Sequence, residues 1–271
     1  MRIVVLSSSL YSETACATAV HLAELQDAPV GALSLSTLHR ATLLRKLGQW
    51  GVLGVADYAR AKLFSRPNNK QSQVRNPYLQ PLLERRGQYF RTLHDVAKSY
   101  NFPVALCGDQ NAPDSLTRLK AWSPDLIIFA GGNILRKPLL AIPRLGVLNV
   151  HLGLLPEIRG MSSPEWSLLN GVPVGITIHF MDSGIDTGPI LQRHEYPGTA
   201  HCDSLSDLRN QLIAFGIDRI GEVVAALDHG TISATPQNDI RKNNQFFVMH
   251  EWLQSRAAER LTNLRSTAGC A

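Results

Sequence analysis

Cysteine is scarce in this chain of 271 residues: Cys16, Cys107, Cys202 and Cys270 lie far apart and form no CxxC pair. That spacing excludes a zinc ribbon and a disulfide framework, and reduced thiols in a cytoplasmic protein are expected. No run of about eighteen apolar residues is present, so no transmembrane segment is expected. The opening Met1-Arg2-Ile3-Val4-Val5-Leu6 is broken by Ser7, Ser8, Ser9 and Ser12, too early for a signal peptide, and reads as a first buried strand. Acidic residues are nearly missing from residues 40–91, where Arg40, Arg45, Lys46, Arg60, Lys62, Arg66, Lys70, Arg75, Arg85, Arg86 and Arg91 face only Asp57 and Glu84. So cationic a segment either presents a solvated helical face or meets phosphates, anionic lipid or nucleic acid. What remains is ordinary for a soluble globular chain, with 44% hydrophobic and 18% charged residues and a net charge of +5.

The length suits one main domain with an appendage. Apolar runs at Ile3–Leu6, Val30–Leu35, Val104–Cys107, Leu126–Ala130 and Val147–His151 read as strands, and helical patterns follow most of them. Such alternation predicts an α/β fold with a mostly parallel sheet covered by helices on both faces. Residues 13–25 read as the first helix, with Ser12 as its cap, and residues 203–228 as an amphipathic helix opened by Asp203 or Ser204. One or two short helices are expected in 41–64, and the polar stretch Ser65–Asn76 reads as a mobile loop. The expected division is a catalytic unit over 1–196, carrying a basic helical insertion at 36–95, and a C-terminal helical extension over 197–271.

The chemistry concentrates between Asn149 and Asp186. If 146–151 is a strand, its period of two puts Asn149 and His151 on one face. Gly175-Ile176-Thr177-Ile178-His179-Phe180-Met181 is a second strand candidate, and the turn Asp182 to Pro189 after it aims the Asp186 carboxylate back at the same place. An amide, an imidazole and a carboxylate around one volume form a candidate catalytic pocket, with Asn149 as a fixed hydrogen-bond donor, His151 as a group able to carry a proton and Asp186 as its partner. Singly, each is better explained by a structural role; together, they mark a candidate site.

The runs NVHLGLLPEIRG and, about thirty residues later, GITIHFMDSGIDTGPIL resemble the formyltransferases that use 10-formyltetrahydrofolate, among them the glycinamide ribonucleotide, methionyl-tRNA and sugar-amine enzymes. The likeness spans roughly residues 100–195. It implies a Rossmann-like formyltransferase fold, Asn149, His151 and Asp186 as catalytic residues, and 10-formyltetrahydrofolate as donor with no metal. It further implies that Gly131, Gly132, Asn133, Ile134 and Leu135 line the donor slot together with Asp182 and Gly184, and that His179, Arg159 and Gly160 touch substrate. Asp182 by itself reads as an Asx residue shaping its turn. Two departures stand out: Gly153 occupies a position where the family has Ser, and Ser7–Ser12 lacks the glycine-rich phosphate cradle of the glycinamide ribonucleotide enzymes.

Rival readings are weaker. Asp186-Thr187-Gly188 is the tripeptide of aspartic proteases, but a second copy is lacking and the strand–helix alternation is wrong for an all-β protease. A metal-dependent hydrolase on His151, His179, His194 and Asp186 lacks a ligand motif such as HExxH. Deformylation of the folate stays open, although such relatives carry an extra amino-terminal domain and this chain starts at its first strand. The expected acceptor is a small-molecule amine, the amino group of a nucleotide-linked amino sugar, whose diphosphate would meet the basic segment. An amino acid, hydroxyornithine, glycinamide ribonucleotide or aminoacyl-tRNA is the alternative. Nucleic acid is not the expected partner, and a homodimer is compatible with the sequence.

Overall fold

Five apolar runs become neighbouring strands, the inner ones too hydrophobic to leave either face wet. The computed structural model describes residues 1–25, 30–36, 75–238 and 244–268. Its strands are β1 (Ile3–Ser7), β2 (Val30–Leu35), β3 (Glu84–Arg85), β4 (Gln88–Tyr89), β5 (Val104–Cys107), β6 (Leu126–Ala130), β7 (Gly146–His151), β8 (Arg159–Gly160), β9 (Gly175–Phe180), β10 (Ile190–Glu195) and β11 (Gln245–Phe246). Seven of them form one sheet in the order β10-β9-β7-β6-β1-β2-β5. From β5 to β7 all pairings are parallel, while β9 runs antiparallel to both β7 and β10. This is the mostly parallel α/β sheet expected from the alternation and the Rossmann-like fold that the resemblance implies.

The strand period decides which layer each side chain enters. Ile3, Val5, Leu126 and Ile128 face a large core shared with the helix Glu13–Leu25 and the helix Leu205–Asp228. Val4, Leu6 and Ile127 face the opposite core with Leu119 of the helix Pro113–Trp122. A third cluster joins Leu168, Leu208, Leu212, Met249, Ala257 and Leu261, where the helix Glu251–Ala268 docks on the helices Ser163–Asn170 and Leu205–Asp228. Helix starts follow their caps: the Ser12 hydroxyl accepts from Ala15 N at 3.3 Å, and Ser204, rather than Asp203, accepts from Asp207 N at 3.1 Å.

The helices expected in 41–64 and most of the loop expected at 65–76 lie outside the described residues. Of the expected basic insertion, residues 75–95 are described, and Leu79, Leu83, Phe90 and Leu93 there belong to the main core. Among the described residues, no helix is long and apolar enough to cross a membrane. Cys16, Cys107 and Cys202 are free and buried, and burial pushes their thiols up to about 12, 11 and 11.

From the central β1 the chain builds outward to β2 and β5, then returns to build β6 and β7 on the other side. In such a sheet the ligand crevice lies outside the carboxyl ends at the point of reversal. Asn149 and His151, at the end of β7, stand beside that point.

Candidate active site

Register places the polar groups together. Asn149 lies opposite His179 and His151 opposite Thr177 across the antiparallel β7–β9 pair. Nδ2 of Asn149 is 3.2 Å from Nε2 of His179. One oxygen of Asp186 is 3.7 Å from that same Nε2, and the other is 3.4 Å from Nδ1 of His151. The two rings meet edge to face with centroids 6.4 Å apart. The four residues therefore form one connected cluster. Among the described residues no group of His, Cys, Asp and Glu has the arrangement of a metal site.

Backbone carbonyls assign the protons, because a carbonyl only accepts. Nε2 of His151 is 2.8 Å from the carbonyl of Ile158, so Nε2 carries the hydrogen and Nδ1 is left facing Asp186. In His179 the order is reversed: Nδ1–H donates to the Phe180 carbonyl at 2.9 Å, and Nε2 accepts from the Asn149 amide. His179 is 1% exposed. Burial lowers its pKa from the ordinary 6.5 against the opposing pull of Asp186, which keeps the ring neutral and able to accept. One N–H of Asn149 is thus spent on His179, and the amide orientation that this fixes turns its other N–H elsewhere.

Asp186 sits in the left-handed region at φ 53°, a conformation that costs a non-glycine residue on the order of 1 kcal/mol or more. Several contacts hold it there. Gly160 N donates to its Oδ2 at 2.8 Å, Arg159 Nη1 to the Ile185 carbonyl at 3.3 Å, and Gln237 Nε2 to the carbonyls of Asp186 and Gly188 at 3.1 and 2.7 Å. Arg159 is buried, so it braces the turn from below. Asp182 shapes the same turn as an Asx residue, accepting from Gly184 N at 2.9 Å and from Thr187 Oγ1 at 2.6 Å.

The loop Gly131–Leu135 after β6 is organised by a residue that the sequence reading passed over. Gln110, wholly buried, donates to the carbonyls of Ser7 at 3.2 Å and Gly131 at 3.3 Å and accepts from Asn133 N at 3.0 Å. Gly132, at φ 150°, leaves it room, since a Cβ there would overlap its side-chain oxygen. Leu135 turns into the core, whereas Ile134 is 77% exposed, as Ile185 is at 39% in the turn after β9. Gly131 and Asn149 line one cavity of about 250 Å³ together with Thr14, Thr18 and Ile217. A neighbouring cavity of about 310 Å³ shares Thr14 and Ile213 with it and adds Ser8, Ser9, Ser12, Asn76 and Asn210.

The C-terminal segment, which carried no chemical motif, reaches this site. β11 pairs with β8, Met161 N donates to the Phe246 carbonyl at 3.0 Å, and Met249 N donates to Ser162 Oγ at 3.1 Å. Trp166 stacks on Phe246 at 4.8 Å and donates to the Phe247 carbonyl at 2.9 Å. The stitched segment is the one that supplies Ile158 and Gly160 to His151 and Asp186. Pairing at so great a sequence separation leaves no periodic trace, and the two-residue strands are too short to read.

The sheet and its cluster define a class: a doubly wound α/β protein with an Asn, two His and an Asp at the mouth of its central strands. A family model for formyl transferases matches residues 87–224, and the chain belongs to that family. A methionyl-tRNA formyltransferase of Pelobacter propionicus (strain DSM 2379 / NBRC 103807 / OttBd1) is 35% identical over 147 residues, covering 54% of this chain and 46% of that protein. The chain spans about half the length of the curated relatives it matches. Among solved structures, glycinamide ribonucleotide transformylase 1 from Symbiobacterium toebii aligns with a TM-score of 0.55 at 20% identity, over 85% of this chain and 88% of that one. An N-formyltransferase from Helicobacter canadensis, in complex with folinic acid and dTDP-3-aminofucose, aligns with a TM-score of 0.54 at 15% identity, over 91% and 70%. Both share its fold.

Proposed function

We propose that this chain transfers a formyl group from 10-formyltetrahydrofolate to the amino group of a nucleotide-linked amino sugar. The observation that carries the reading is the connected Asn149–His179–Asp186–His151 cluster in a member of the formyl transferase family. A folate donor supplies the formyl carbon. The residues suited to hold it are Gly131–Ile134 and the turn 182–188, where Ile134 and Ile185 leave apolar surface uncovered, a fit for a flat ring, while Leu135 is buried in the core.

Asn149 directs its remaining N–H at the oxygen that becomes negative as the amine adds to the formyl carbon. His179, kept neutral, fixes the orientation of that amide. His151 takes the amine proton at Nδ1, and Asp186 at 3.4 Å stabilises the imidazolium that results. The ring then holds the proton for the departing nitrogen, with Nε2 anchored on Ile158 throughout.

For the acceptor, the cavity beside Asn149 and its neighbour toward Ser12 offer apolar side chains, hydroxyls and amides, a lining suited to a sugar ring. The neighbour crystallised with dTDP-3-aminofucose supports the same class. A second reading, methionyl-tRNA, is favoured by the curated relatives at 35% identity. The test is incubation with 10-formyltetrahydrofolate and a panel of nucleotide amino sugars, amino acids, hydroxyornithine, glycinamide ribonucleotide and methionyl-tRNA, read by mass spectrometry. A carbonyl gained only by an amino acid or only by tRNA overturns the sugar reading.

A further inference from the structure

The contacts around His151 close into a ring. Its Nε2 is 3.3 Å from Oγ of Ser163, and that hydroxyl donates to the carbonyl of Gly160 at 3.1 Å. Gly160 N in turn donates to Oδ2 of Asp186 at 2.8 Å, and the same oxygen is 3.4 Å from His151 Nδ1. With its hydrogen spent on Gly160, Ser163 presents a lone pair to His151, so the Nε2–H is shared between Ser163 and the Ile158 carbonyl. Ser163 is 3% exposed, and water does not compete there. Gly153 makes the arrangement possible: a Cβ at that position would stand 2.9 Å from both His151 Nε2 and Ser163 Cβ.

We propose that Ser163 is a positioning residue of the transfer centre, whose hydroxyl links His151 to Gly160 and thereby sets the spacing between the imidazole and the Asp186 carboxylate. The assignment of a functional consequence rests on the reading of His151 as proton carrier. Ser163 acts through His151, its hydroxyl engaged with His151 and the Gly160 carbonyl. No main-chain capping duty accounts for it, since the helix it opens is entered through Ser162 in a left-handed conformation with no side-chain cap.

The test uses the whole chain and two readouts. Histidine side-chain ¹⁵N–¹H spectra, taken without any substrate, give the wild-type His151 as the Nε2–H form with a slowly exchanging proton. In Ser163→Ala that proton shifts and exchanges about 10-fold faster, and Ser163→Thr restores it. In the formyl transfer assay, Ser163→Ala lowers kcat about 10-fold and leaves KM for the donor within about twofold. An unchanged Nε2–H signal and exchange rate in folded Ser163→Ala overturns the proposal. Should that variant not fold, Gly153→Ala takes its place, and an undisturbed signal there is equally fatal. A wild type with the expected spectrum that formylates none of the amines leaves the ring standing and defeats the functional reading alone.

Discussion

Asn149 and His179 face each other across the β7–β9 pair, and the amide of the first donates to Nε2 of the second at 3.2 Å. The bond fixes the amide's orientation, and it exists only while the imidazole is neutral. In the proposed mechanism, transfer chemistry and pH behaviour are tied to this one contact.

In the proposed mechanism Asn149 is the donor aimed at the developing oxyanion, and Asn149→Ala removes it. Loss of one such donor costs roughly 100–1000-fold in kcat. The variant also orphans Nε2 of the buried His179, at a stability cost of about 1–3 kcal/mol that thermal midpoints measure separately from kcat. Steady-state kinetics with the amine identified by mass spectrometry decide it, and turnover within about tenfold of wild type removes Asn149 from the mechanism.

His179 gives the protein a pH-dependent stability. Its pKa is lowered by burial from 6.5, so the unfolded chain binds the proton at a pH where the folded chain refuses it. The contribution is full above about 6.5 and is lost as pH falls through that value toward the lower folded pKa. Urea midpoints measured from about pH 8 down to about pH 5.5 should fall in the wild type and fall less in His179→Gln, which keeps an acceptor without a titrating ring. Parallel curves for the two proteins contradict the assignment.

Gly132→Ala should be destabilised by more than about 1 kcal/mol, since a Cβ there overlaps Gln110 and the backbone is left-handed. Gln110→Gly removes the overlap but orphans Ser7, Gly131 and Asn133. A double-mutant cycle on thermal midpoints should therefore give a coupling of at least about 0.5 kcal/mol. Strict additivity contradicts the contact.

Gln237 lies beyond the matched family segment yet holds the carbonyls on either side of Thr187. Gln237→Ala should release the left-handed Asp186 and lower kcat about 10-fold, by analogy with other supporting contacts. A crystal structure of the variant with Asp186 unmoved, together with unaltered kcat, counts against that role.

A fifth outcome concerns stability alone. Glu165 is 4% exposed and takes both Nε and Nη2 of Arg209 at 2.6 Å, joining the helix Ser163–Asn170 to the helix Leu205–Asp228. Arg209→Leu leaves a buried carboxylate without a partner and should cost about 3 kcal/mol. The paired change Glu165→Leu with Arg209→Leu should recover much of that loss in denaturant titrations, and a double variant no more stable than the single one rejects the pairing.

Hydrophobic period and turn chemistry are local properties, and they carried the strands at 30–35, 104–107 and 126–130, the helix 13–25 with its Ser12 cap, and the strand face shared by Asn149 and His151. The spacing from Asn149 to Asp186 likewise marks the polar cluster. What tertiary structure alone decided is the protonation and the support: which nitrogen of each histidine is free, and how Ser163, Gln110, Gln237 and the Phe246 strand hold the loops in place. These are side-chain and backbone bonds between residues as far as 103 positions apart, as with Gln110 and Ser7. Their partners are chosen by where loops come to rest after the sheet has assembled, and no periodicity in the chain encodes that meeting.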